Sequence, residues 1–291
     1  MNLSSTKIGP FSIYTIETGR FALDGGAMFG VVPKTLWSKK IPADDKNRIP
    51  MAMRCLLIKS DLTKRVYLID NGAGDKFNEK MSSIYDIHFD EGSLETSLEF
   101  HRFKKEDITD IIFTHLHFDH CGGTTRLNDE GEAELVFPNA RYWVTRNQWV
   151  NANTPNAREK ASYFPENIEP IRHSKALKFT SDGQIFEPGL SVVEVNGHSK
   201  GQQLPIISHE DKTLVFAGDL IPTHAHVPLP WVMGYDMMPV ITLEEKEKLL
   251  PEWAEKNAFL YLEHDAHHEV VTLKHDGKRI VHDSSLSLSD I

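Results

Sequence analysis

Cysteine is almost absent from this chain. Cys55 and Cys121 are the only two in 291 residues, so no disulfide framework is implied, and the cell interior, the cytoplasm, is the default compartment. Long apolar runs are missing as well. No window approaches the roughly 18 consecutive apolar residues of a membrane span, and residues 1–10 lack the apolar stretch of an export signal. Basic residues are in deficit, 32 against 42 acidic ones, for a formal net charge of −10. A surface that acidic repels phosphate backbones, which argues against nucleic acid and for a small-molecule partner. Low-complexity tracts, linkers and fixed-period repeats are also lacking. What is present, 40% hydrophobic and 25% charged residues, is the composition of a folded globular chain. The length fits one large domain over residues 1–291.

Seven short β-rich runs stand out, at 55–59, 66–70, 111–114, 141–145, 190–195, 214–217 and 259–263. Most are continuously apolar rather than alternating, which predicts strands covered on both faces. The first two are separated by residues 60–65, a hairpin-length connection. Thr242 with Glu245 three residues on reads as a capping box, opening a helix that carries Leu243, Leu249, Leu250 and Trp253. Pro251 falls inside that pattern and predicts a kink or split. Residues 145–153 and the segment after Gly123 are weaker helix candidates. Residues 22–53 and 151–174 show no clear period and read as loops with functional content.

The chemistry concentrates at strand ends. His115-Leu116-His117-Phe118-Asp119-His120 follows the run 111–114 directly. Neutral imidazoles beside a carboxylate suit zinc and related divalent ions. In an extended turn His115 and His117 point to one side, while Asp119 and His120 reach a second ion nearby. Gly122-Gly123 lets the backbone turn sharply afterwards. Three more candidates sit after strands: His198 in Asn196-Gly197-His198-Ser199, Asp219 after Gly218, and His264 after Glu263. Ligands at the carboxyl ends of several strands are how α/β scaffolds assemble a site from distant sequence. Seven such residues can hold two ions, with Asp219 as a bridge.

The pattern His115, His117, Asp119, His120, His198, Asp219 and His264 resembles the metallo-β-lactamase superfamily over about residues 54–264. That resemblance implies an α/β (α+β) fold, an αββα sandwich of two face-to-face sheets with helices outside. It implies two Zn2+ ions, although other divalent metals suit the same cage. His115, His117 and His198 would hold one; Asp119, His120 and His264 the other; Asp219 and a hydroxide would bridge them. A hydroxide so held is a strong nucleophile at neutral pH, because the metal lowers the pKa of bound water to roughly 7. The expected reaction is hydrolysis of an ester, lactone, thioester, amide or phosphoester.

Within the superfamily, the bridging Asp219 separates this chain from the zinc β-lactamases proper. Only 27 residues follow His264, too few for the helical substrate domain of glyoxalase-II-like thioesterases. His117 is intact where the flavin-linked di-iron oxidoreductases carry glutamate, and a ribonuclease of this fold would want a basic surface. The motif 114–123, Asn196–Ser199, the run 26–34 and the stretch 218–230 are similar to the bacterial N-acyl homoserine lactonases, which open a lactone ring and silence quorum sensing. Organophosphate and aryl-ester hydrolases share these features and stand as the alternative. A homodimer is compatible with either reading. The resemblance makes Asp119 both ligand and proton donor. Some lactonases place a carbonyl-assisting tyrosine shortly after the bridging aspartate; here none comes before Tyr235, so His226, Tyr235 or the metal alone takes that part. Met28, Phe29, Trp231, Met233 and Met238 are candidates for an apolar acyl groove. Cys121 reads as a small packing residue, His224 as a possible donor to a substrate oxygen, and His267 and His268 as surface groups.

Overall fold

Thirteen consecutive residues, Arg48–Ser60, form a strand whose apolar side chains alternate between two different cores. Leu56 and Ile58 point to one side and Cys55 and Leu57 to the other, all fully buried. The same split recurs at Tyr67 and Ile69 against Leu68, and at Ile112 against Ile111. Strands covered on both faces read as continuous apolar runs, which is what the sequence shows. The computed structural model, which describes residues 3–291, arranges them as two seven-stranded sheets packed face to face.

The first sheet runs Ser5–Ile8, Phe11–Asp24, Arg48–Ser60, Val66–Ile69, Asp110–Ile112, Arg141–Thr145, Leu177–Thr180. The second runs Ile185–Glu187, Leu190–Val195, Gln202–His209, Lys212–Phe216, Phe259–Tyr261, Val270–His275, Ile280–Leu286. Phe11, Ile13, Ile58 and Ile69 meet Val192, Ile207, Leu214 and Phe216 between them. Helices Leu94–Phe100, Arg146–Asn153 and Pro165–His173 cover the outside of the first sheet through Leu98, Ala152, Ile168 and Ile171. Helix Pro239–Glu255 covers the second through Leu249, Leu250 and Trp253. The αββα sandwich is thus the observed architecture. Among the described residues, no helix is long and apolar enough to cross a membrane.

All seven anticipated runs carry strands, four of them shorter at the C-terminal end, so that the ligand-bearing residues fall in the turns beyond. Strand 66–69 pairs antiparallel with 56–59, as the hairpin predicted. Thr145 caps helix Arg146–Asn153, accepting a hydrogen bond from the Gln148 amide. Five expectations are corrected. The segment after Gly123 is a 3-10 turn leading into strand Thr125–Leu127, not a helix. Residues 22–53 begin and end inside the two longest strands, Phe11–Asp24 and Arg48–Ser60, and carry the short helices Gly25–Phe29 and Lys34–Trp37 between them, too brief to show a period. Residues 151–174 include helix Pro165–His173. The capping box is not one: helix Pro239–Glu255 begins three residues earlier, at a proline whose fixed φ suits a first turn. Thr242 lies inside it, and Glu245 accepts from the backbone amides of Asn196 (2.5 Å) and Gly197 (3.1 Å). Nor does Pro251 split that helix. The carbonyl it leaves without a donor belongs to the exposed Glu247, where water satisfies it, while Leu249, Leu250 and Trp253 hold both sides of the proline to the core.

Candidate metal centre

Parallel pairing of Lys212–Phe216 with Phe259–Tyr261 brings Asp219 and His264 to one edge of the second sheet. Leu190–Val195 runs in the same direction, two places along, and delivers His198 there. In the first sheet Asp110–Ile112 is parallel to its neighbours on both sides and ends just before His115. All seven candidate ligands therefore meet at one end of the sandwich, and each is at most 7% exposed.

Their outer atoms determine what the inner atoms present. His117 Nε2 donates to Glu159 Oε1 (3.1 Å), and His198 Nδ1 to Asp236 Oδ1 (3.1 Å). His120 Nδ1 donates to Asp70 Oδ2 (3.0 Å), and His264 Nδ1 to the Ala52 carbonyl (2.9 Å). Thr114 Oγ1 spends its own proton on Asp70 (2.6 Å) and so accepts from His115 Nδ1 (3.0 Å). Each imidazole is thereby locked in the tautomer that turns a bare lone pair inward. These lone pairs crowd one another: His115 Nε2 is 2.9 Å and His198 Nε2 3.3 Å from His117 Nδ1, and His264 Nε2 is 3.0 Å from His120 Nε2. Two facing lone pairs cannot share a hydrogen bond. A tetrahedral zinc with bonds of about 2.0–2.1 Å would set its nitrogens about 3.3 Å apart, at the upper end of the 2.9–3.3 Å found.

Asp219 lies between the two groups. Oδ2 approaches His198 Nε2 (3.1 Å) and His120 Nε2 (3.6 Å); Oδ1 approaches His264 Nε2 (3.1 Å) and, though buried, has no hydrogen-bond partner among the described residues. Asp119 Oδ2 completes the second group, 3.8 Å from His120 and 3.7 Å from His264. An orphaned buried carboxylate oxygen facing inward lone pairs fits cations and nothing else in the protein. Charge agrees. Burial opposes protonation of His120, yet Glu263, Asp119 and Asp219 outweigh it and hold its pKa well above the ordinary value. Burial likewise opposes protonation of His264, and Asp219 carries it up to about 9. Burial, joined by the neighbouring His120, His117 and His198, drives His115 well below its usual range. The Glu263 carboxylate comes within 3.0 Å of His120 Nδ1, but off the hydrogen-bonding line, which Asp70 occupies.

Beside the cluster opens a cavity of about 180 Å³, lined by His117, Asp119, Glu159, His198, Asp219 and His264 and by Met28, Met51, Tyr85, Phe118, Met233, Tyr235 and Met237. A larger hollow of about 430 Å³ at Glu17, Arg54 and Glu269 contains none of the ligands. Of the residues anticipated for substrate, Met28 and Met233 reach the cavity. Phe29 does not: it is fully buried, stacked between Trp37 (5.2 Å) and His226 (4.6 Å), with Trp231 edge-on behind it. Met238 faces a separate hollow. His226 is corrected as a substrate-assisting group, because it has no nitrogen to offer. Nε2 donates to the Met28 carbonyl (3.0 Å) and Nδ1 accepts from Thr223 Oγ1 (2.8 Å). His224 is not on the cavity wall either, its Nδ1 donating to Asp265 (2.6 Å). Tyr235 does line the cavity, and burial pushes its phenol up to about 12. Cys121 is fully buried and packed in the core. Sequence reasoning missed Asp70, Glu159, Asp236 and Glu263, carboxylates with no local spacing to mark them; Asp70 and Glu263, closing the 66–70 and 259–263 runs, carried the strand-end signal available.

The chain belongs to the metallo-beta-lactamase superfamily, whose family model matches residues 54–264, and it is a metal-dependent hydrolase of that superfamily. A probable metal-dependent hydrolase from Staphylococcus aureus is 31% identical, with a TM-score of 0.85 over 97% of this chain and 100% of that one. AidC, a dizinc quorum-quenching lactonase solved with the product N-hexanoyl-L-homoserine, shares the fold at 22% identity, with a TM-score of 0.78 over 98% and 99% of the two chains. The N-acyl homoserine lactonase of Bacillus cereus is 29% identical over 113 residues, which are 39% of this chain and only 38% of that relative's length.

Proposed function

We propose that this protein binds two zinc ions and opens the ring of N-acyl homoserine lactones. The observation that carries the reading is the division of seven ligands into two groups sharing Asp219, directly beside an apolar cavity with two phenols, Tyr85 and Tyr235, kept protonated by burial. His115, His117 and His198 would hold one ion, Asp119, His120 and His264 the other, and Asp219 both. Bound there, the two ions supply Lewis acidity and a hydroxide nucleophile at neutral pH. Asp119, at the cavity wall, takes the proton released as water adds to the lactone carbonyl carbon. It returns that proton to the ring oxygen when the C–O bond breaks, so that one water is consumed and no other group is lost. Tyr235 donates from its phenol to the carbonyl oxygen as charge gathers there. Met28, Met51 and Met233 accept the acyl tail; each buried methylene is worth about 0.8 kcal/mol, so KM falls with tail length until the cavity is full.

The dizinc lactonase with its bound acyl homoserine and the Bacillus cereus lactonase support this choice of substrate. The test is pH-stat titration of acyl lactones, aryl esters and phosphotriesters with metal-loaded protein, with mass analysis of products. An acyl homoserine one water heavier than the lactone, its amide intact, is expected. Free fatty acid would mean amide cleavage. Rapid turnover of a phosphotriester or aryl ester, with none of any lactone, would hand the site to that chemistry.

A further inference from the structure

Just outside this centre a second group of histidines converges from three separate segments. Asp265, the residue after His264, accepts from the His224 backbone amide (2.9 Å) and from His224 Nδ1 (2.6 Å) through Oδ2, and from the amides of His267 (3.0 Å) and His268 (2.9 Å) through Oδ1. The bond to Nδ1 leaves His224 Nε2 as a bare lone pair turned away from the carboxylate. The His268 ring lies 4.2 Å from the His224 ring and forms no hydrogen bond of its own among the described residues. His282, on strand Ile280–Leu286, flanks the group with its ring 5.6 Å from His224 and 5.8 Å from His268, and its Nε2 lies 3.0 Å from Ser285 Oγ, a contact that an ion would have to displace. Ligand atoms of His224, Asp265 and His268 all lie within 4.8 Å of one another. None of the four lines the cavity.

Chance packing does not account for this arrangement well. Three imidazoles side by side without a hydrogen bond between them gain little from one another and lose much if protonated. Burial and the neighbouring rings both disfavour the charged form of His268 and of His282. Neutral imidazoles with a carboxylate holding one of them in a fixed tautomer form the donor set of a borderline transition-metal site, not of a calcium or magnesium site.

We propose that His224, His268 and His282, with Asp265 orienting His224, form a second, solvent-reachable metal site for one divalent transition ion such as Zn2+, distinct from the hydrolytic centre. An ion there would tie together the turn after Asp219, the turn after His264 and the strand Ile280–Leu286. It would brace from outside two of the loops that carry ligands within. Magnesium and calcium would not compete for it.

The test is zinc counting at buffered micromolar free zinc on the full chain, wild type against a His268→Ala/His282→Ala double variant. His267→Ala is the control, an exposed neighbour outside the group. Wild type and control are expected to bind one equivalent more than the double variant. Their Tm should also rise with free zinc over a range in which the double variant's Tm is flat. His282→Gln alone should weaken the extra equivalent at least tenfold. The readout is a difference, so it stands whether the inner centre takes one ion or two and whatever its substrate. Equal zinc content in wild type and double variant, or a zinc-dependent Tm rise that survives in the double variant, would overturn the proposal.

Discussion

Gly197 is the tightest point between the metal centre and the helix behind it. A Cβ added there would lie 2.3 Å from Thr242 Oγ1, 2.4 Å from its backbone nitrogen and 2.6 Å from its Cα, where ordinary contacts are 3.4–4 Å. The turn cannot swing away freely. Its amides are held by Glu245, the Gly197 carbonyl accepts from the Met238 amide (2.8 Å), and the His198 carbonyl accepts from the Met237 amide (3.1 Å). In Gly197→Ala, turn and helix must therefore separate by about 1 Å, half the length of a zinc–nitrogen bond of about 2.0–2.1 Å. Overpacking of this kind costs about 1–3 kcal/mol, and at this chain length each kcal/mol lowers Tm by about 2–4 °C. The displaced ligand is His198, so zinc affinity should fall about 10- to 100-fold, as when a ligand's supporting partner is lost. Turnover should fall on the order of 100-fold. Scanning calorimetry and competition against a chromophoric chelator measure the first two without any assumption about substrate. Thr242→Ala removes only the hydroxyl, which is buried and without a partner. That change alone should be close to neutral, and it should fail to rescue Gly197→Ala because the obstructing nitrogen and Cα remain. A Gly197→Ala protein with wild-type Tm and zinc affinity would refute the claim that the helix sets the position of His198.

Three further outcomes follow from the same geometry. Asp119→Asn should fold normally and, loaded with metal, lose about 10²- to 10⁴-fold in kcat with a smaller change in KM; near-normal kcat would remove Asp119 from proton transfer. His226 is held down to about 4 by burial, below the ordinary 6.5, so the unfolded chain binds its proton first and stability falls as pH drops from about 6.5 to 4. The span corresponds to about 3 kcal/mol, measured as the difference between wild type and His226→Phe in urea unfolding across that range; parallel pH curves would contradict it. Lys246, fully buried, donates to the carbonyls of His226 (2.7 Å), Pro228 (2.9 Å) and Trp231 (2.9 Å). Lys246→Met should therefore cost at least about 2 kcal/mol and speed hydrogen exchange in residues 226–233, whereas unchanged exchange there would show the loop to be held by other means.

The metal-binding residues were legible in the sequence because coordination chemistry restricts them to His and Asp, and because four fall within six residues just past an apolar run. The remaining three each follow a strand signal of their own. Strands buried on both faces leave continuous apolar runs, so the sandwich could be anticipated too. Tertiary structure alone decided what turns those residues into a site. Asp70, Glu159 and Asp236 are three carboxylates among 42 acidic residues, and only folding brings each to the outer nitrogen of an imidazole, fixing which lone pair faces inward. Partners 38 to 50 positions apart in the chain leave no periodic trace, whereas the spacing of ligands along one turn does. The same holds for the cavity. Phe29 and His226 looked like site residues because of what they are, but they pack against each other inside the protein. Met51 and Tyr85 reach the cavity from segments with no pattern of their own. Pro251 shows the reverse case: a local rule forbids the helix, yet burial of Leu249, Leu250 and Trp253 on either side outweighs one lost hydrogen bond at an exposed carbonyl. Residue type and short-range spacing determined the chemistry available to this chain; packing over long sequence separations determined where each donor points.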